Sequence, residues 1–353
     1  MKTIALYLPQ FHECEDNNRW WGKGFTEWTN VRKAVPLFEG HNQPREPLNL
    51  DYYDLSDKSV MLRQMNLAKS HGIDGFCFYH YWFCGKKILE RPIENLWNEE
   101  NIPLPFMLCW ANEPWTRTWD GDFGAKQILI DQTYGDIDDW KNHFFYLLKF
   151  FRMDAYIKID GKPVIAIYRS SNIKKRREMF SLWEEMAKEN GFSNGLYILN
   201  THKFSIEKEI PIYGDGIYDF EPFISMQYVN RNEMGRYRRG FDGEEYFTLD
   251  YIKICEHMIE RKIFGGEHHN LGFFTGFDNS PRIGKRVKIL YENNSPEIVE
   301  KYFRIQYQRS VDLGNEFLFI NAWNEWAEGA ILEPDNLYGY GYLEAIKRAV
   351  DNV

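Results

Sequence analysis

The chain has 353 residues, of which 43 are Lys or Arg and 52 are Asp or Glu, so its formal net charge at pH 7 is −9. A molecule this acidic repels polyanions, and we expect no nucleic-acid partner. Apolar residues make up 44% of the chain and charged residues 27%, which excludes a disordered or fibrous protein.

Short apolar runs alternate along the chain with longer amphipathic segments. We predict eight strands, at residues 3–8, 73–79, 106–110, 164–168, 196–199, 216–220, 271–275 and 317–320. The predicted helices span residues 58–70, 138–151, 175–190, 246–261, 297–313 and 342–350. Such alternation is typical of β–α units around a parallel sheet, and eight units close into a single (β/α)8 TIM barrel. No linker or internal repeat interrupts the pattern, so we predict one domain over residues 1–353.

Three connections of the predicted barrel carry extra structure. Residues 156–167, with Asp160-Gly161 in the middle, predict a β-hairpin that leads into the fourth strand. Residues 9–57 and 221–246 are long segments that leave the carboxyl ends of the first and sixth strands. Barrel enzymes build their active sites from loops at these ends, so we expect long active-site loops here.

The amino-terminal apolar stretch is short, because Pro9 follows directly after residues 4–8. Such a stretch is too short for the apolar region of a signal peptide and for a membrane span. The five cysteines contain no CxxC pair, and an odd, scattered set is typical of reduced thiols. We therefore predict a cytoplasmic protein without a membrane span.

Polar and aromatic side chains follow the apolar runs, at the points where the predicted strands end. Because these ends meet at one rim of a barrel, we expect the side chains to form one site. Aromatic residues are 17% of the chain, and tryptophan faces among them can stack on sugar rings. The candidate substrate-binding residues are His12, Trp28, His80, Trp110, Asn112, Glu113, Trp115, Asp278, Arg282, Asn324 and Trp326.

Two carboxylates, Glu325 and Glu328, come directly after the last predicted strand and flank Trp326. Glycosidic bond cleavage needs such a pair, because one carboxyl protonates the leaving oxygen while the other supplies negative charge or a base. We predict that both residues are catalytic and that the protein acts on carbohydrate. Glu113, at the end of another predicted strand, is an alternative partner for Glu325 across the barrel mouth.

Each candidate residue also has a structural interpretation. An acid at a strand end can be a solvated surface group, and a histidine or tryptophan can be part of the core. The alternatives that stay open are surface acids for Glu325 and Glu328, a helix cap for Asn112-Glu113, core hydrogen bonding for His12 and His80, an ion pair for Asp278 and Arg282, and packing for the tryptophans.

Patterns for metals and cofactors are weak in this chain. Asp120-Gly121-Asp122 and Asp136-Ile137-Asp138 match the loose DxD pattern by which many nucleotide-sugar transferases hold a metal ion, but no Gly-rich phosphate loop accompanies them. His268-His269 has no Cys or carboxylate neighbour at ligand spacing. We predict no metal site and no cofactor.

Six segments resemble a known family when they are taken together. They are YLPQFH, WWGKGFTEWTNV, FYHYWFCGKKILERP, LCWANEPWTRTWDG, GFDNSPR and NAWNEWAEGAILEPD. In this order they resemble the WbsX-type proteins, a group similar to glycoside hydrolase family 99, and the resemblance spans nearly the whole chain. WbsX-type members are often encoded among bacterial O-antigen or capsule genes and labelled glycosyltransferases of lipopolysaccharide biosynthesis. The family 99 relatives are retaining endo-acting α-mannosidases, and the resemblance implies their (β/α)8 barrel.

The resemblance also implies roles for the two glutamates. In family 99 the motif that residues 324–329 resemble holds both catalytic acids. Carried over, Glu325 deprotonates the sugar 2-hydroxyl, whose oxygen attacks C1 to give a 1,2-anhydro sugar. Glu328 protonates the leaving oxygen and later activates water. Ala327 stands where family 99 relatives often have His, so the identity of the sugar stays open.

Three functions compete at this point. The first is a metal-independent, retaining glycoside hydrolase or transglycosylase that acts on a bacterial polysaccharide or oligosaccharide. The second is a glycosyltransferase of O-antigen or capsule polysaccharide biosynthesis. The third is a carbohydrate-binding protein without catalysis, against which the presence of both Glu325 and Glu328 counts. The sequence leaves the linkage, endo or exo action and the oligomeric state open.

Overall fold

The computed structural model describes residues 1–117, 127–203, 214–263 and 268–353. Eight parallel strands close into a barrel, because the first strand pairs with both the second and the last. In that closure Ile4 lies opposite Gly75 on one side and Phe319 on the other. The strands are β1 (Lys2–Tyr7), β2 (Gly75–Phe83), β3 (Phe106–Trp110), β4 (Lys162–Ile167), β5 (Tyr197–His202), β6 (Gly216–Asp219), β7 (His269–Phe274) and β8 (Phe317–Asn321).

Helices surround the barrel and begin at acidic caps in three cases. The side chains of Asp57, Asp136 and Asp250 accept hydrogen bonds from backbone N–H groups two or three residues ahead, which satisfies donors that the start of a helix leaves unpaired. The six longer helices are α1 (Lys58–Lys69), α2 (Ile137–Phe151), α3 (Arg176–Glu189), α4 (Tyr251–Glu260), α5 (Pro296–Asp312) and α6 (Gly341–Asp351). The predicted (β/α)8 fold is confirmed.

One helix prediction is wrong at its start. Residues 246–250 do not belong to α4, because Glu245–Asp250 is a strand that pairs antiparallel with Gly235–Arg239 and parallel with Leu290–Glu292. Pairing with two neighbouring strands, rather than hydrogen bonds along one helix, satisfies the backbone of this segment. The helix begins only after the cap at Asp250.

Shorter elements complete the described part of the chain. The predicted hairpin is present: Lys158–Ile159 pairs antiparallel with the start of β4, and Asp160 and Gly161 at its turn have φ 50 and 78. The other short strands are Lys86–Ile88, Trp115–Thr116, Ile128–Ile130, Asn324–Glu325 and Ala330–Ile331. The short helices are Glu15–Trp21, Glu27–Arg32, Arg91–Glu94, Arg231–Met234 and Ser280–Ile283.

Alternation along the strands divides side chains between the barrel axis and the helices. Tyr218 of β6 stacks on Phe319 of β8 across the interior, with ring centroids 4.1 Å apart. Cys109 of β3 faces the same interior, since its Sγ lies 3.8 Å from the Tyr218 hydroxyl. The next residue, Trp110, points the other way and packs on Trp183 of α3. This parity decides which strand residues reach the site described below.

Candidate active site

A cavity of about 310 Å³ opens at the carboxyl ends of the barrel strands. It draws side chains from the carboxyl ends of all eight strands and from the segments that follow them. Its aromatic wall consists of Tyr79, Tyr81, Trp115, Tyr168, Phe220 and Phe223. Its ionisable groups are Glu113, Lys203, Arg282, Glu325 and Glu328.

A tight hairpin after β8 holds the two predicted catalytic acids. Asn324–Glu325 pairs antiparallel with Ala330–Ile331, and Trp326–Glu328 forms a single 3-10 turn between the two arms. Gly329 ends the turn in the left-handed conformation with φ 63, which glycine adopts without a steric penalty. A backbone N–H group of Asp278 donates to the carbonyl of Glu328 at 2.6 Å. The conformation of Gly329 and the hydrogen bond from Asp278 therefore both fix the shape of the turn.

The hairpin is also tied to the first strand of the barrel. The side-chain oxygen of Asn324 accepts from the Leu8 N–H at 2.7 Å, and its amide donates to the Leu8 carbonyl at 3.0 Å. Asn324 is fully buried, so these two bonds satisfy polar groups that would otherwise be costly to bury. The predicted substrate contact of Asn324 is thus replaced, in this structure, by a contact with the backbone at the end of β1.

Arg282 joins three carboxylates at the edge of the cavity. Its Nε donates to Glu27 Oε1 at 2.8 Å and its Nη2 to Glu325 Oε2 at 3.1 Å, while its Nη1 contacts Glu328 Oε1. Burial alone would lower the pKa of Arg282, but the three negative charges raise it well above its ordinary value. The guanidinium is therefore a permanent positive charge between both predicted catalytic acids.

The environment of Glu325 favours its protonated form. Burial, and next the negative charge of Glu328, raise the pKa of Glu325 to about 8, although Arg282 acts in the opposite direction. The Glu325 side chain is 9% exposed and that of Glu328 is 24% exposed, so the two acids differ in their access to water. A buried acid that keeps its proton beside a more exposed one is the arrangement that acid–base chemistry at a glycosidic bond uses.

The structure brings five predicted site residues together in the cavity and places eight in the wall behind it. Those in the cavity are Glu113, Trp115, Arg282, Glu325 and Glu328. Glu113 is also in an ion pair, with its Oε1 3.0 Å from the Nε of Arg169. Those behind it, each in contact with another protein group, are His12, Trp28, His80, Trp110, Asn112, Asp278, Asn324 and Trp326.

The two predicted histidines occupy the core in this structure. The Nδ1 of His12 lies 2.9 Å from the Pro9 carbonyl. The Nε2 of His80 lies 2.9 Å from the Nε2 of His143 on α2, and burial lowers the pKa of His80 to about 3. His80 lies between Tyr79 and Tyr81 on β2, and these two tyrosines face the cavity while His80 faces the helices. Side chains alternate between the two faces of a strand, so His80 and its neighbours could have been told apart from the sequence only if it were known which of them point to the barrel axis.

Asp278 and Arg282 do not have the relationship that their spacing suggested. Asp278 Oδ2 contacts His41 Nε2 at 2.9 Å and Gln43 Nε2 at 2.7 Å. The ion pairs described for Arg282 are with glutamates instead. Asp278 therefore anchors the long segment after β1, and Arg282 contacts the two predicted catalytic acids.

Sequence reasoning missed several residues at this site. Glu27 is fully buried and accepts from Gln10 Nε2 at 3.0 Å as well as from Arg282. Lys203 follows β5 and lies over the rings of Tyr168 and Phe223, at 4.8 and 4.4 Å from their centroids. Burial lowers the pKa of Lys203 to about 8. A lone lysine or glutamate carries no sequence signal, so only the folded barrel reveals these positions.

The weak metal patterns have separate outcomes. Asp120 and Asp122, together with Trp119, lie outside the described residues. Asp136 caps α2 by accepting from the N–H groups of Asp138 and Asp139, which accounts for this acid without a metal.

One described cluster could hold a metal ion by its geometry, and it lies outside the cavity. It consists of His202, Asp219 and His269, whose ligand atoms lie within 4.8 Å of one another. No carboxylate lies at ligand spacing from His269 in the sequence, but the fold brings Asp219 Oδ1 within 2.7 Å of its Nε2. Arg261 contacts the other carboxylate oxygen of Asp219, so a guanidinium already supplies positive charge to this cluster. Burial would raise the pKa of Asp219, but Arg261 and His269 hold it well below its ordinary value.

Among the described residues, no helix combines the length and apolar character that crossing a bilayer requires.

The fold is similar to that of solved glycoside hydrolases. A GH99 endo-α-mannosidase from Bacteroides thetaiotaomicron aligns with 99% of this chain and 96% of its own, with a TM-score of 0.57 and 15% sequence identity. A structure described as a glycoside hydrolase-like protein aligns with 99% of this chain and 93% of its own, with a TM-score of 0.60 and 13% identity. At this identity the likeness shows a shared barrel fold.

Two curated relatives come from Xanthomonas campestris pv. campestris and carry the name uncharacterized protein WxcX. They are 36% and 35% identical to this chain over 352 residues, which is 98% of its length. The chain spans about half the length of these relatives, since the match covers 49% of each. Residues 3–346 match the sequence model of the family described as glycosyltransferase WbsX. The chain therefore belongs to the glycosyltransferase WbsX family.

Proposed function

We propose that the protein is a carbohydrate-active enzyme that breaks or transfers a glycosidic bond with retention, using Glu325 and Glu328 as its acid–base pair. The observation that carries the proposal is their shared contact with Arg282 at the edge of an aromatic cavity. Two carboxyl groups with different burial can divide one proton between them, as glycosidic bond cleavage requires.

The cavity suits a sugar for a second reason. Tyrosine and tryptophan rings form much of its wall, and sugar rings stack on such faces. A few polar groups, among them Lys203 and Glu113, are placed where hydrogen bonds could orient hydroxyls. We propose a bacterial polysaccharide or oligosaccharide as the substrate, and the enzyme's location as the cytoplasm.

The roles implied by the family resemblance give a balanced reaction. Glu325 takes the proton of the sugar 2-hydroxyl, and O2 forms a bond to C1 while the bond from C1 to the leaving oxygen breaks. Glu328 gives its proton to that oxygen. In the second half Glu328 takes a proton from water, which attacks C1 and opens the 1,2-anhydro ring, and Glu325 returns its proton to O2.

The raised pKa of Glu325 opposes the first of these steps, because that step needs an ionised Glu325. The same step needs a protonated Glu328. Either substrate binding moves the proton from Glu325 to Glu328, or Glu325 is the acid and Glu328 the nucleophile or base. The deeper burial of Glu325 favours the second assignment, and the resemblance favours the first.

Glu113 remains a rival acid. It lines the same cavity from the end of β3, and its ion pair with Arg169 leaves 41% of its side chain exposed. If Glu113 were the proton donor, Glu113→Gln would reduce turnover as strongly as Glu325→Gln or Glu328→Gln.

A glycosyltransferase of surface polysaccharide assembly is the second candidate, because the family that matches the chain is described as one. A transferase needs an activated donor, so its activity would depend on a nucleotide sugar. A hydrolase or transglycosylase needs none.

One product analysis separates the two candidates. Wild type and Glu328→Gln are incubated with bacterial polysaccharides and with activated α-glycosides, with and without nucleotide sugars. Glu300→Gln serves as control, because Glu300 lies on α5 in an ion pair with Arg304, away from the cavity. Sugar release by wild type and Glu300→Gln alone, without nucleotide, supports the proposal. Transfer only from a nucleotide sugar contradicts it.

A further inference from the structure

We propose that Glu333 is a positioning residue that holds the catalytic turn from the side away from the cavity. The inference rests on the proposed function, because it assigns Glu333 a role in the reaction of Glu325 and Glu328. The resemblance and the spacing of acids did not single out Glu333, which lies beyond the end of the hairpin.

Glu333 contacts the turn through its carboxylate and the residue before the first arm of the hairpin through its backbone. Its Oε2 accepts from the indole Nε1 of Trp326 at 2.7 Å. Its backbone N–H donates to the Trp323 carbonyl at 3.2 Å, just before the first arm. Trp326 stands between Glu325 and Glu328 in the chain, so a fixed indole limits the rotation of the turn that carries both acids.

Two other elements bind the same carboxylate. The Tyr53 hydroxyl, from the long segment after β1, donates to Oε2 at 2.7 Å. The Gln64 amide, from α1, donates to Oε1 at 2.6 Å. Gln64 in turn accepts from the Tyr7 hydroxyl at 2.5 Å. Glu333 therefore connects the catalytic hairpin to β1, to α1 and to the loop between them.

The donors around Glu333 match a carboxylate better than an amide. Three donors converge on Glu333, from Trp326, Tyr53 and Gln64, and a carboxylate can accept all three while an amide presents N–H groups to at least one of them. All three donors are neutral, and the side chain is buried, with 6% of the residue exposed. Burying an acid without a cation beside it is costly, so we attribute its presence to the geometry it enforces.

Glu333 does not line the catalytic cavity and acts through Trp326. It borders a second cavity on the other side of Trp326, which Tyr53, Asp51 and Arg63 also line. The titratable or charged groups that face Glu333 are thus Tyr7 and Tyr53, with Asp51 and Arg63 in that cavity. Burial raises the pKa of Glu333 to about 7, whereas both tyrosines have pKa values well above 10.

Kinetics of Glu333→Gln test the role directly. We expect kcat to fall at least about tenfold while KM stays within about twofold, because the substrate still binds but the acids are misplaced. Trp326→Phe removes the same hydrogen bond from the other side, and the double variant should lose no more than the larger of the two single effects. If Glu333→Gln fails to fold, Tyr53→Phe is measured in its place. It removes only one of the three donors to Glu333, so we expect a smaller loss of kcat.

A resonance of the indole N–H provides a readout that does not depend on turnover. Trp326→Phe identifies the Trp326 Nε1–H signal in a proton–nitrogen spectrum. Glu325 also adjoins Trp326, so the test is made in Glu325→Gln. There the signal should shift as the pH passes about 7, and in the double variant Glu325→Gln/Glu333→Gln the shift should be absent. Asp215→Asn is the control for general destabilisation, because Asp215 binds the Ile198 N–H at the amino end of the barrel and should change neither kcat nor the indole signal.

The outcomes separate the two proposals. Unchanged kcat in Glu333→Gln, or kinetic effects of Glu333→Gln and Trp326→Phe that simply add, overturns the positioning role while the proposed function stands. A wild-type protein that turns over no sugar, while the indole signal of Glu325→Gln still shifts with pH, overturns the proposed function, and the positioning role with it.

Discussion

The Arg282 guanidinium contacts the Glu325 carboxyl group, with Nη2 and Oε2 3.1 Å apart, and the proposed chemistry depends on this contact. The same guanidinium contacts Glu27 and Glu328, so one cation offsets three acids in a mostly buried place. The charge of each acid therefore depends on the others, and a change at one position should alter the protonation of its neighbours.

Arg282→Met should be strongly destabilising. It leaves buried carboxylates without their cation, and breaking such a network typically costs about 3–5 kcal/mol. The loss should be smaller at pH 5 than at pH 8, because the uncompensated acids take up protons at low pH. Denaturant unfolding at both pH values measures this. Arg282→Lys keeps one charge but cannot contact three carboxylates at once, so it should lie between wild type and Arg282→Met; equal stability of all three would contradict the network.

Glu325→Gln and Glu328→Gln should separate the acid from the base. Both variants should lose turnover on the natural substrate by about two orders of magnitude or more. Only the variant of the general acid should recover on a substrate whose leaving group needs no proton, such as an activated aryl glycoside. Recovery of Glu328→Gln supports the anhydro-sugar assignment, and recovery of Glu325→Gln supports the reverse. Melting temperatures of both variants serve as the control for folding.

The pH dependence of kcat/KM tests the same assignment independently. The pKa of Glu325 is about 8 in the free protein. If Glu325 is the base, kcat/KM should rise as the pH approaches 8, and if it is the acid, kcat/KM should fall above that pH. A profile that is flat between pH 6 and about 9 would contradict both roles.

Stability should respond to the proton on Glu325 with a defined sign. The folded protein has a raised pKa at this carboxyl, so between the unfolded and folded pKa values it binds more protons than the unfolded chain. Its stability therefore falls as the pH rises through this window, by at most about 1.4 kcal/mol per pH unit for one group. Glu325→Gln should lose this contribution. Unfolding curves of wild type and variant at pH 5, 6.5 and 8 measure the difference, and parallel pH dependences would contradict the shift.

Gly329→Ala should disturb the turn that carries the acids. Gly329 has φ 63, and an added Cβ would lie 3.0 Å from the Asp278 nitrogen. We expect a loss of about 1–3 kcal/mol together with reduced turnover. Gly339→Ala is a matched control, because Gly339 has φ 56 but open space around its added Cβ. It should show the backbone cost alone and keep its activity. Equal effects at both positions would mean that the contact with Asp278 is unimportant.

The sequence predicted the barrel well because its strands are local features. Apolar runs of strand length alternate with amphipathic helices, and each run is visible without knowledge of its partners. The start of α4 was predicted too early, because Tyr246 and its neighbours fit a helix pattern locally. In the structure they pair with Gly235–Arg239 and form a strand. That residues 1–353 form one domain stays a prediction, as do the catalytic roles.

Only some of the residues that line the cavity were predicted. Much of the error comes from not knowing which face of each strand points to the barrel axis. The spacing of motifs placed polar residues at the correct ends of the strands, yet it chose His80 and Trp110, which face the helices. Tyr79 and Tyr81 face the cavity instead. Adjacent strand residues point to opposite sides, and composition alone does not tell which side is the axis when both sides are apolar.

The sequence by itself determined the strand and helix pattern, the family, and the pair of acids after the last strand, because each of these is written in neighbouring residues. Only the tertiary structure decided the partners of those acids. Glu27, Arg282 and Glu325 come from distant parts of the chain, and Glu333 reaches Tyr53 and Gln64 across a similar distance. Barrel closure brings such residues together, and the burial it creates sets the charge each of them carries.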